Sequence, residues 1–250
     1  MSDAPNTRIS IITVTYNSAA TVAETVRSVL SQTFSPLEYI VMDGASGDDT
    51  VSIVEGYRKE FEDKGIRLTV ISEPDNGMYD AMNKGIRISS GDVIGIINSD
   101  DWYEPDALKT VANEYSSQPF DLFYADLRLV FPGGRSFVKH SRYRRYATSR
   151  DWNHPTTFIA KTVYDHDLYR TETIHDDYDL ILRIRKQNIR IRVVNKVLAN
   201  FRMNGVSHSR SVSAAIKSIK LKYRIYRQNG YSRLYIIEPL MEEVGKLIIG

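Results

Sequence analysis

The sequence predicts an α/β fold with a mainly parallel central sheet, and three observations support it. Four short apolar runs lie between residues 9 and 97, and each suits a strand that is buried on both faces. A segment with helical spacing follows each run. Each run also ends in polar residues, which fits βαβ units whose parallel strands all end at one edge of the sheet.

The predicted elements of this sheet follow one another in a regular order. Strands are predicted at residues 9–15, 39–42, 68–71 and 93–97, and helices at about 20–30, 50–61, 78–88 and 106–115. The polar turns after the strands lie at 16–18, 43–50, 72–77 and 98–101. Because ligands of open α/β sheets collect beyond the carboxyl ends of the strands, these turns are expected to line a binding crevice.

The pattern changes after residue 115. Residues 122–131 and 136–138 flank the turn Pro132-Gly133-Gly134 and predict a hairpin, and 155–159 resembles a short strand. Helical patterns cover 177–187, 211–228 and 234–249. We therefore divide the chain into a Rossmann-like half at 1–115, a mixed half of the same domain at 116–207, and a basic amphipathic helical extension at 208–250.

Composition restricts the possible chemistry. None of the 250 residues is cysteine, which excludes disulfides, thiolate zinc sites and cysteine nucleophiles. The N-terminus shows no basic segment followed by an apolar one, and no apolar run approaches the ~18 residues that span a bilayer. We therefore expect a cytoplasmic protein.

The net charge of +2 conceals a marked asymmetry. Residues 180–237 contain 14 Lys and Arg and no Asp or Glu. An anionic membrane surface, a nucleic acid or a phosphorylated substrate would each suit this region, and charge alone does not choose between them. Because the helical segments here are also amphipathic, peripheral contact with the inner face of the cell membrane is one expectation.

The turn Asn98-Ser99-Asp100-Asp101 is the most distinctive of the four. Two adjacent carboxylates repel one another unless a cation offsets them, so the pair is a candidate site for a divalent metal held together with phosphate oxygens. The alternative is that these residues cap the helix that Pro105 opens. The turn alone leaves both interpretations open.

Three segments in combination resemble the family 2 glycosyltransferases, which have a GT-A fold. They are residues 72–85 (SEPDNGMYDAMNKG), 98–101 (NSDD) and 176–180 (DDYDL) with Arg183. The resemblance covers roughly residues 9–207. It implies an inverting enzyme that takes a sugar from a nucleoside-diphosphate-sugar, with residues 1–115 binding the donor and 116–207 binding the acceptor.

The resemblance also implies roles for individual residues on the donor side. The nucleotide would contact Thr13, Tyr16, Asn17, Asp43, Asp75, Lys84, Asn98 and Ser99. The sugar and diphosphate would contact Asp80, Asn83 and Asp101, and Mg²⁺ or Mn²⁺ would be bound by Asp100 with His208. Asn98 departs from the family's acid-x-acid motif, so direct metal ligation is expected of Asp100 instead.

On the acceptor side, Asp177 matches the catalytic base of the family's acidic motif. A carboxylate there would take the proton of the attacking hydroxyl. The acceptor would contact Trp152, His154, Asp176, Arg144 and Arg145. From the residues alone, the acids at 176, 177 and 179 equally suit the N-terminus of a helix.

The predicted function is transfer of a sugar to a hydroxyl of a glycan or of a polyprenyl-diphosphate-linked acceptor. Two alternatives from other classes are a nucleotide-binding module without turnover and an RNA-binding protein that uses the basic C-terminal region. The RNA alternative is weakened because acids crowd the presumed crevice and no RNA-binding motif is present. No nucleic-acid partner is therefore expected.

Overall fold

The first part of the chain forms a parallel half-sheet, as predicted. The computed structural model describes residues 7–203 and 212–249. The strands of this part are β1 (Ile9–Thr15), β2 (Glu38–Asp43), β3 (Arg67–Ser72) and β4 (Val93–Ile96), and they pair with one another in parallel. The helices between them are α1 (Val22–Leu30), α2 (Thr50–Glu55), α3 (Arg58–Asp63) and α4 (Met78–Ile88). The helix predicted over 50–61 is divided in two at Gly56, a residue that weakens helices.

The second part adds strands of both directions. They are β5 (Trp102–Tyr103), β6 (Leu122–Val130), β7 (Ser136–Lys139), β8 (Phe158–Ala160) and β9 (Ile191–Arg202). The helices are α5 (Ala107–Ser117), α6 (Lys161–Tyr164) and α7 (Asp176–Ile184). The predicted hairpin is confirmed as β6 and β7. The sequence pattern does not predict β9, because its exposed and half-buried residues do not alternate regularly.

All nine strands join one mixed sheet. Its order is β3-β2-β1-β4-β8-β6-β9-β5, with β7 paired to β6 off this path. The direction reverses at β8, which is antiparallel to both β4 and β6. At this reversal Gly95 is required, since a Cβ there would lie 2.4 Å from the ring of Phe158. The crevice therefore lies where the parallel half meets the mixed half.

Apolar side chains cover both faces of the sheet. Residues of α1, α3 and α5, such as Val26, Phe61 and Leu108, form the core on one face. On the other face, α4 and α7 contribute Met82 and Leu180. Packing of these helices on the sheet thereby holds the polar turns in place at the sheet edge.

The C-terminal segment packs onto this second face as a helical hairpin. It consists of α8 (Val212–Gln228), a 3-10 turn (Arg233–Ile236) and α9 (Ile237–Ile249). The ring of Tyr226 is fully buried and lies 5.4 Å from that of Tyr178 in α7 and 4.5 Å from that of Tyr235. Over the described ranges, no helix is long and apolar enough to cross a membrane.

Candidate active site

The turns after β1 and β2 are tied together by Asn17. This residue has a left-handed φ of 48°, a conformation that asparagine tolerates better than most residues. Its backbone N–H donates to Ser46 Oγ at 2.8 Å, and its Oδ1 accepts from Gly47 N at 2.9 Å. Asn17 therefore shapes the turn, and its predicted contact with a nucleotide stays a prediction.

Asp43 at the end of β2 is enclosed in hydrogen bonds. Burial opposes its ionisation, but bonds from Ser46, Ser72 and Thr15 outweigh it and lower the pKa of the carboxyl. The hydroxyls of Thr15 and Ser72 donate at 2.7 and 2.6 Å, and Ser46 donates through both its hydroxyl and its backbone N–H. Asp43 is 2% exposed and joins three turns, and its predicted contact with a nucleotide stays a prediction.

A polar niche lies beside Asp43. Tyr16 is exposed, and an added Cβ on Gly44 would lie 3.4 Å from its ring and 2.7 Å from Asp75 Oδ2. Asp75 Oδ1 accepts from Gly77 N at 2.7 Å, whereas its Oδ2 receives no hydrogen bond from residues 7–203 or 212–249. An aromatic face and an available carboxylate oxygen therefore lie together at the sheet edge.

Helix α4 carries the predicted diphosphate residues, and most of their polar atoms have partners. The Lys84 ammonium lies 2.8 Å from Glu73 and 3.7 Å from Asp80, and the hydrogen bond to Glu73 raises the pKa of Lys84. Asn83 is buried and pairs with both backbone groups of Tyr169, at 2.8 and 3.0 Å. Asn83 thus ties α4 to the loop before α7, and its polar atoms do not face the crevice.

Thr13 is a second predicted contact that the structure places inside the protein. It is fully buried, and its hydroxyl accepts a bond from Tyr39 Oη at 3.0 Å. All seven residues of β1 are buried, and the predicted contact of Thr13 with a nucleotide stays a prediction. Ser99, in contrast, is half-buried at the crevice and shares a 2.8 Å hydrogen bond with Ser18.

The turn after β4 holds two buried oxygens without partners. Within the described part of the chain, neither Asn98 Oδ1 nor Asp101 Oδ2 has a hydrogen-bond partner. Asp101 is 0% exposed, and burial, followed by the neighbouring charge of Asp100, raises the pKa of its carboxyl to about 8. Unpaired buried oxygens are costly, so the turn is arranged to receive a cation or a donor.

Asp100 is half-buried in the same turn, and burial raises the pKa of its carboxyl. Together with Asn98 and Asp101 it gives the hard oxygen donors that Mg²⁺ and Mn²⁺ prefer. No group of three or more acidic or histidine side chains that could hold a metal ion occurs among residues 7–203 and 212–249. A metal here would therefore need further ligands, and His208, the residue expected to contribute, lies outside the described residues.

Arg202 at the end of β9 is a crevice residue that the sequence pattern did not indicate. Its backbone N–H donates to Asp101 Oδ1 at 3.1 Å, and its Nε donates to the Asp100 carbonyl at 3.2 Å. Its guanidinium also pairs with Glu24 and lies 4.9 Å from the ring centre of Trp102. In the sequence, Arg202 is one of many basic residues in its region, and nothing there singles it out. Its place at the crevice follows from the position of β9.

Asp177 lies in the first turn of α7 and lines a cavity of about 240 Å³. The hydroxyl of Tyr79 donates to Asp177 Oδ1 at 2.9 Å. Burial, and after it the charge of Asp177, raises the pKa of Tyr79, so this hydroxyl remains a donor at neutral pH. Asp177 is thus a carboxylate that is oriented by a hydrogen bond and lines a cavity, which is the arrangement that a general base requires.

The cavity walls include two of the predicted acceptor residues. Trp152 is 4% exposed and stacks on Tyr178 at 5.5 Å, and burial lowers the pKa of His154, which favours its neutral form. The wall also contains residues that the sequence analysis did not select, namely Lys139 from β7, Asn153 and Lys222 from α8. The C-terminal hairpin therefore forms part of this cavity.

The other predicted acceptor residues lie elsewhere or have structural partners. Asp176 is buried and accepts bonds from Glu172 N and from the backbone and hydroxyl of Thr173, so it closes the loop before α7. Arg144 pairs with the buried carboxylate of Asp151 at 2.5 Å and lines a separate, open cavity of about 600 Å³. Arg145 is exposed. Acceptor contacts by these three residues stay predictions.

The sequence matches the model of Glycosyl transferase family 2 over residues 10–174. This range contains all four turns of the parallel half and ends shortly before Asp177. It amounts to about two thirds of the chain.

Among curated proteins, the chain is similar to an uncharacterized glycosyltransferase of Mycobacterium tuberculosis, with 37% identity over 120 residues. It is 35% identical over 120 residues to a PGL/p-HBAD biosynthesis glycosyltransferase of Mycobacterium bovis. These matches cover 47% of this chain and 43% and 46% of the two relatives. The match thus spans less than half the length of either relative.

Solved structures resemble nearly the whole chain. The 1–349 fragment of S. aureus TarS in complex with UDP has a TM-score of 0.68 and 20% identity, covering 97% of this chain and 72% of that one. A mannosyltransferase from Pyrobaculum calidifontis in complex with GDP-Man and Mn²⁺ has a TM-score of 0.67 and 17% identity, covering 97% and 71%. These likenesses confirm the predicted GT-A fold.

Proposed function

Because this chain belongs to glycosyl transferase family 2, we propose that it moves a sugar from a nucleoside-diphosphate-sugar to a hydroxyl of an acceptor held beside Asp177. The observation that carries this proposal is the Asp177 carboxylate, which faces a cavity and is oriented by Tyr79. Neither a nucleotide-binding module without turnover nor an RNA-binding protein would need a general base at this position.

The proposed reaction is a displacement with inversion. The acceptor oxygen attacks the anomeric carbon on the face opposite the diphosphate, and Asp177 receives the hydroxyl proton. The bond between the anomeric carbon and the phosphate oxygen breaks, and its electron pair leaves with the nucleoside diphosphate. Holding the two reactants in line removes much of the entropic cost of their encounter.

The donor would lie along the sheet edge. Tyr16 offers its exposed ring to the base, and Asp75 Oδ2, which has no hydrogen-bond partner among the described residues, offers an acceptor to a base or ribose N–H or O–H. Asp43 would act by fixing this niche. Asp80 and Lys84 would reach the diphosphate only if Lys84 exchanged its contact with Glu73 for phosphate oxygens.

Asp100, supported by Asn98, would bind Mg²⁺ or Mn²⁺, with Asp101 beneath them and His208 as a further candidate ligand. When bound, the cation offsets the charge of the departing diphosphate. The Mn²⁺ complex of the Pyrobaculum calidifontis mannosyltransferase supports a divalent ion in this fold. Arg202 would supply further positive charge at the same place.

We propose that the acceptor is a glycan or a lipid-linked sugar, met at the inner face of the cell membrane. Helix α9 supports this, because its outer stripe is apolar: Ile237, Leu240, Met241 and Val244 are all exposed. Its carboxylates point the other way, and Glu242 and Glu243 pair with the buried Lys222. Helix α9 therefore exposes apolar side chains and buries its charged ones, which is the reverse of the pattern of a surface helix in water.

The charge around this outer stripe favours an anionic lipid surface over a second copy of the chain. The exposed face of α8 carries Lys217, Lys220, Arg224 and Arg227. No acidic side chain is exposed among residues 213–245. Two such faces would repel one another, whereas anionic lipid would attract both the stripe and its basic neighbour.

The test of the proposed activity is release of nucleoside diphosphate from a panel of nucleotide sugars with Mn²⁺ or Mg²⁺ present. We expect release from one class of donor in the wild-type chain and transfer to a glycan or lipid-linked acceptor. Tight nucleotide binding without release from any donor would support the non-catalytic alternative instead.

A further inference from the structure

The acceptor cavity contains a cation that the proposed reaction does not use. Lys139, the last residue of β7, lines the cavity, and its Nζ donates to the backbone carbonyl of Trp152 at 3.2 Å. Lys139 forms no ion pair with any carboxylate of the described residues. A neutral carbonyl thus holds the ammonium of a half-buried lysine.

This arrangement costs stability, because a sheltered ammonium without a counter-ion loses hydration and gains little in return. The burial itself lowers the pKa of Lys139, against the attraction of Glu242, Asp177 and Asp151. The second lysine of the cavity differs, because Lys222 lies 2.6 Å from Glu242 and 3.5 Å from Glu243. The fold therefore neutralises one cavity lysine and leaves the other without a counter-ion.

An unpaired acceptor lies next to this lysine. Asn153 is 2% exposed and lines the same cavity, and its Oδ1 has no hydrogen-bond partner within the described ranges. Its Nδ2 donates to Ala125 O at 3.1 Å and to Ser141 Oγ at 2.9 Å, which fixes the amide. The amide is thus fixed in place, and its buried oxygen has no partner within the described ranges.

We propose that Lys139 and Asn153 form a subsite for an acidic acceptor. The Lys139 ammonium binds a carboxylate or phosphate group of the acceptor, and Asn153 Oδ1 accepts a hydrogen bond from a hydroxyl of the same molecule. This inference rests on the proposed function, since it names the class of acceptor that the cavity beside Asp177 receives. The anion supplies the counter-charge that the fold omits.

The experiment measures the reactivity of Lys139 directly in the full chain. A neutral N-hydroxysuccinimide ester labels lysines, and mass spectrometry gives the labelling rate of each one. The probes are D-glucuronate, inorganic phosphate and D-glucose, each over a range of concentrations. Lys109 is the matched control, because it is an exposed lysine on α5, outside the cavity.

We expect at least one anion to slow labelling of Lys139 saturably, by about tenfold, and to leave Lys109 unchanged. Protection by glucuronate alone identifies a carboxylate-bearing acceptor, and protection by phosphate identifies a phosphorylated one. The proposal is overturned if neither anion slows labelling, if glucose protects equally, or if Lys109 is slowed to the same extent.

Failure of this inference is distinguishable from failure of the proposed function. Release of nucleoside diphosphate from the donor panel by the wild-type chain reports the transferase activity without reference to Lys139. Release of nucleoside diphosphate without protection of Lys139 would contradict the acidic subsite and support the transferase activity. Protection of Lys139 without release of nucleoside diphosphate would support an anion site and contradict the transferase activity.

Discussion

The hydroxyl of Tyr79 donates a 2.9 Å hydrogen bond to Oδ1 of Asp177, 98 positions later in the chain. The carbonyl oxygen of Ile174 lies 3.2 Å from the same hydroxyl and shares its single proton with Asp177. The bond joins α4, which borders the donor crevice, to the first turn of α7, which borders the acceptor cavity. The position of the proposed base is therefore coupled to the helix that carries Asp80 and Lys84, the proposed diphosphate residues.

Asp177→Asn should spare nucleotide binding and reduce sugar transfer by about 10²–10⁴-fold, the usual contribution of a general base. The amide is nearly the same size but cannot take a proton. Transfer rates and nucleotide affinity measure the two effects separately. Asp165→Asn, at the end of α6, is the matched control and should behave as the wild type. Near-normal transfer by Asp177→Asn would contradict the assignment of Asp177 as the general base.

Tyr79→Phe should lower kcat by about tenfold while leaving the KM for the donor nearly unchanged. Tyr79 is a positioning residue, because it orients Asp177 and does not itself reach the reacting atoms. Steady-state kinetics with varied donor separate kcat from KM. Tyr57→Phe, whose hydroxyl lies in an exposed contact with Arg27, is the control. An equal loss of donor affinity would show that Tyr79 acts on the donor side instead.

Asp100→Asn should weaken nucleoside diphosphate binding in the presence of Mn²⁺ by at least about tenfold. Binding without metal should not weaken, since the carboxylate would then only repel the phosphates. Isothermal titration of the wild type and the variant, each with Mn²⁺ and with a chelator, measures both conditions. Asp63→Asn on α3 is an exposed control. A variant that kept the full response to Mn²⁺ would place the metal elsewhere.

Asp43→Asn should destabilise the protein by about 1–3 kcal/mol at neutral pH, because the hydrogen bonds from Thr15, Ser46 and Ser72 favour a carboxylate. The pKa of Asp43 is lowered in the folded state, so its contribution is complete above the ordinary aspartate pKa and disappears as the pH falls through the folded value. Urea denaturation at several pH values should show the two proteins converging in acid. Asp49→Asn, exposed before α2, should show no such trend.

The sequence predicted the parallel strands and their polar turns because buried apolar runs are a local signal. The family resemblance singled out Asp177, and the adjacent acids singled out the 98–101 turn; their roles stay predictions. Thr13 and Asn83 were assigned to the nucleotide and the sugar; the structure buries both and pairs them with Tyr39 and Tyr169, and those contacts with a donor stay predictions. Lys139 escaped notice because other walls of its cavity come from distant parts of the chain, such as Asp177 and Lys222, and Arg202 escaped notice because β9 pairs with the distant β6.

Met241→Glu should weaken binding to vesicles that contain phosphatidylglycerol, and the outer stripe of α9 gives the reason. Met241 is 68% exposed at its centre, and transferring such a side chain into lipid is worth about 1.5–3 kcal/mol, or tenfold and more in affinity. A carboxylate would also repel the anionic lipid.

Co-sedimentation with vesicles at low and high salt measures the affinity, and vesicles of phosphatidylcholine alone should bind weakly. Val138→Glu is the matched control, because Val138 is an exposed apolar residue on β7 rather than on the hairpin. Equal binding by wild type and Met241→Glu, or equal loss in Val138→Glu, would contradict contact through α9, and a salt-sensitive dimer of the wild type would assign the stripe to a second copy.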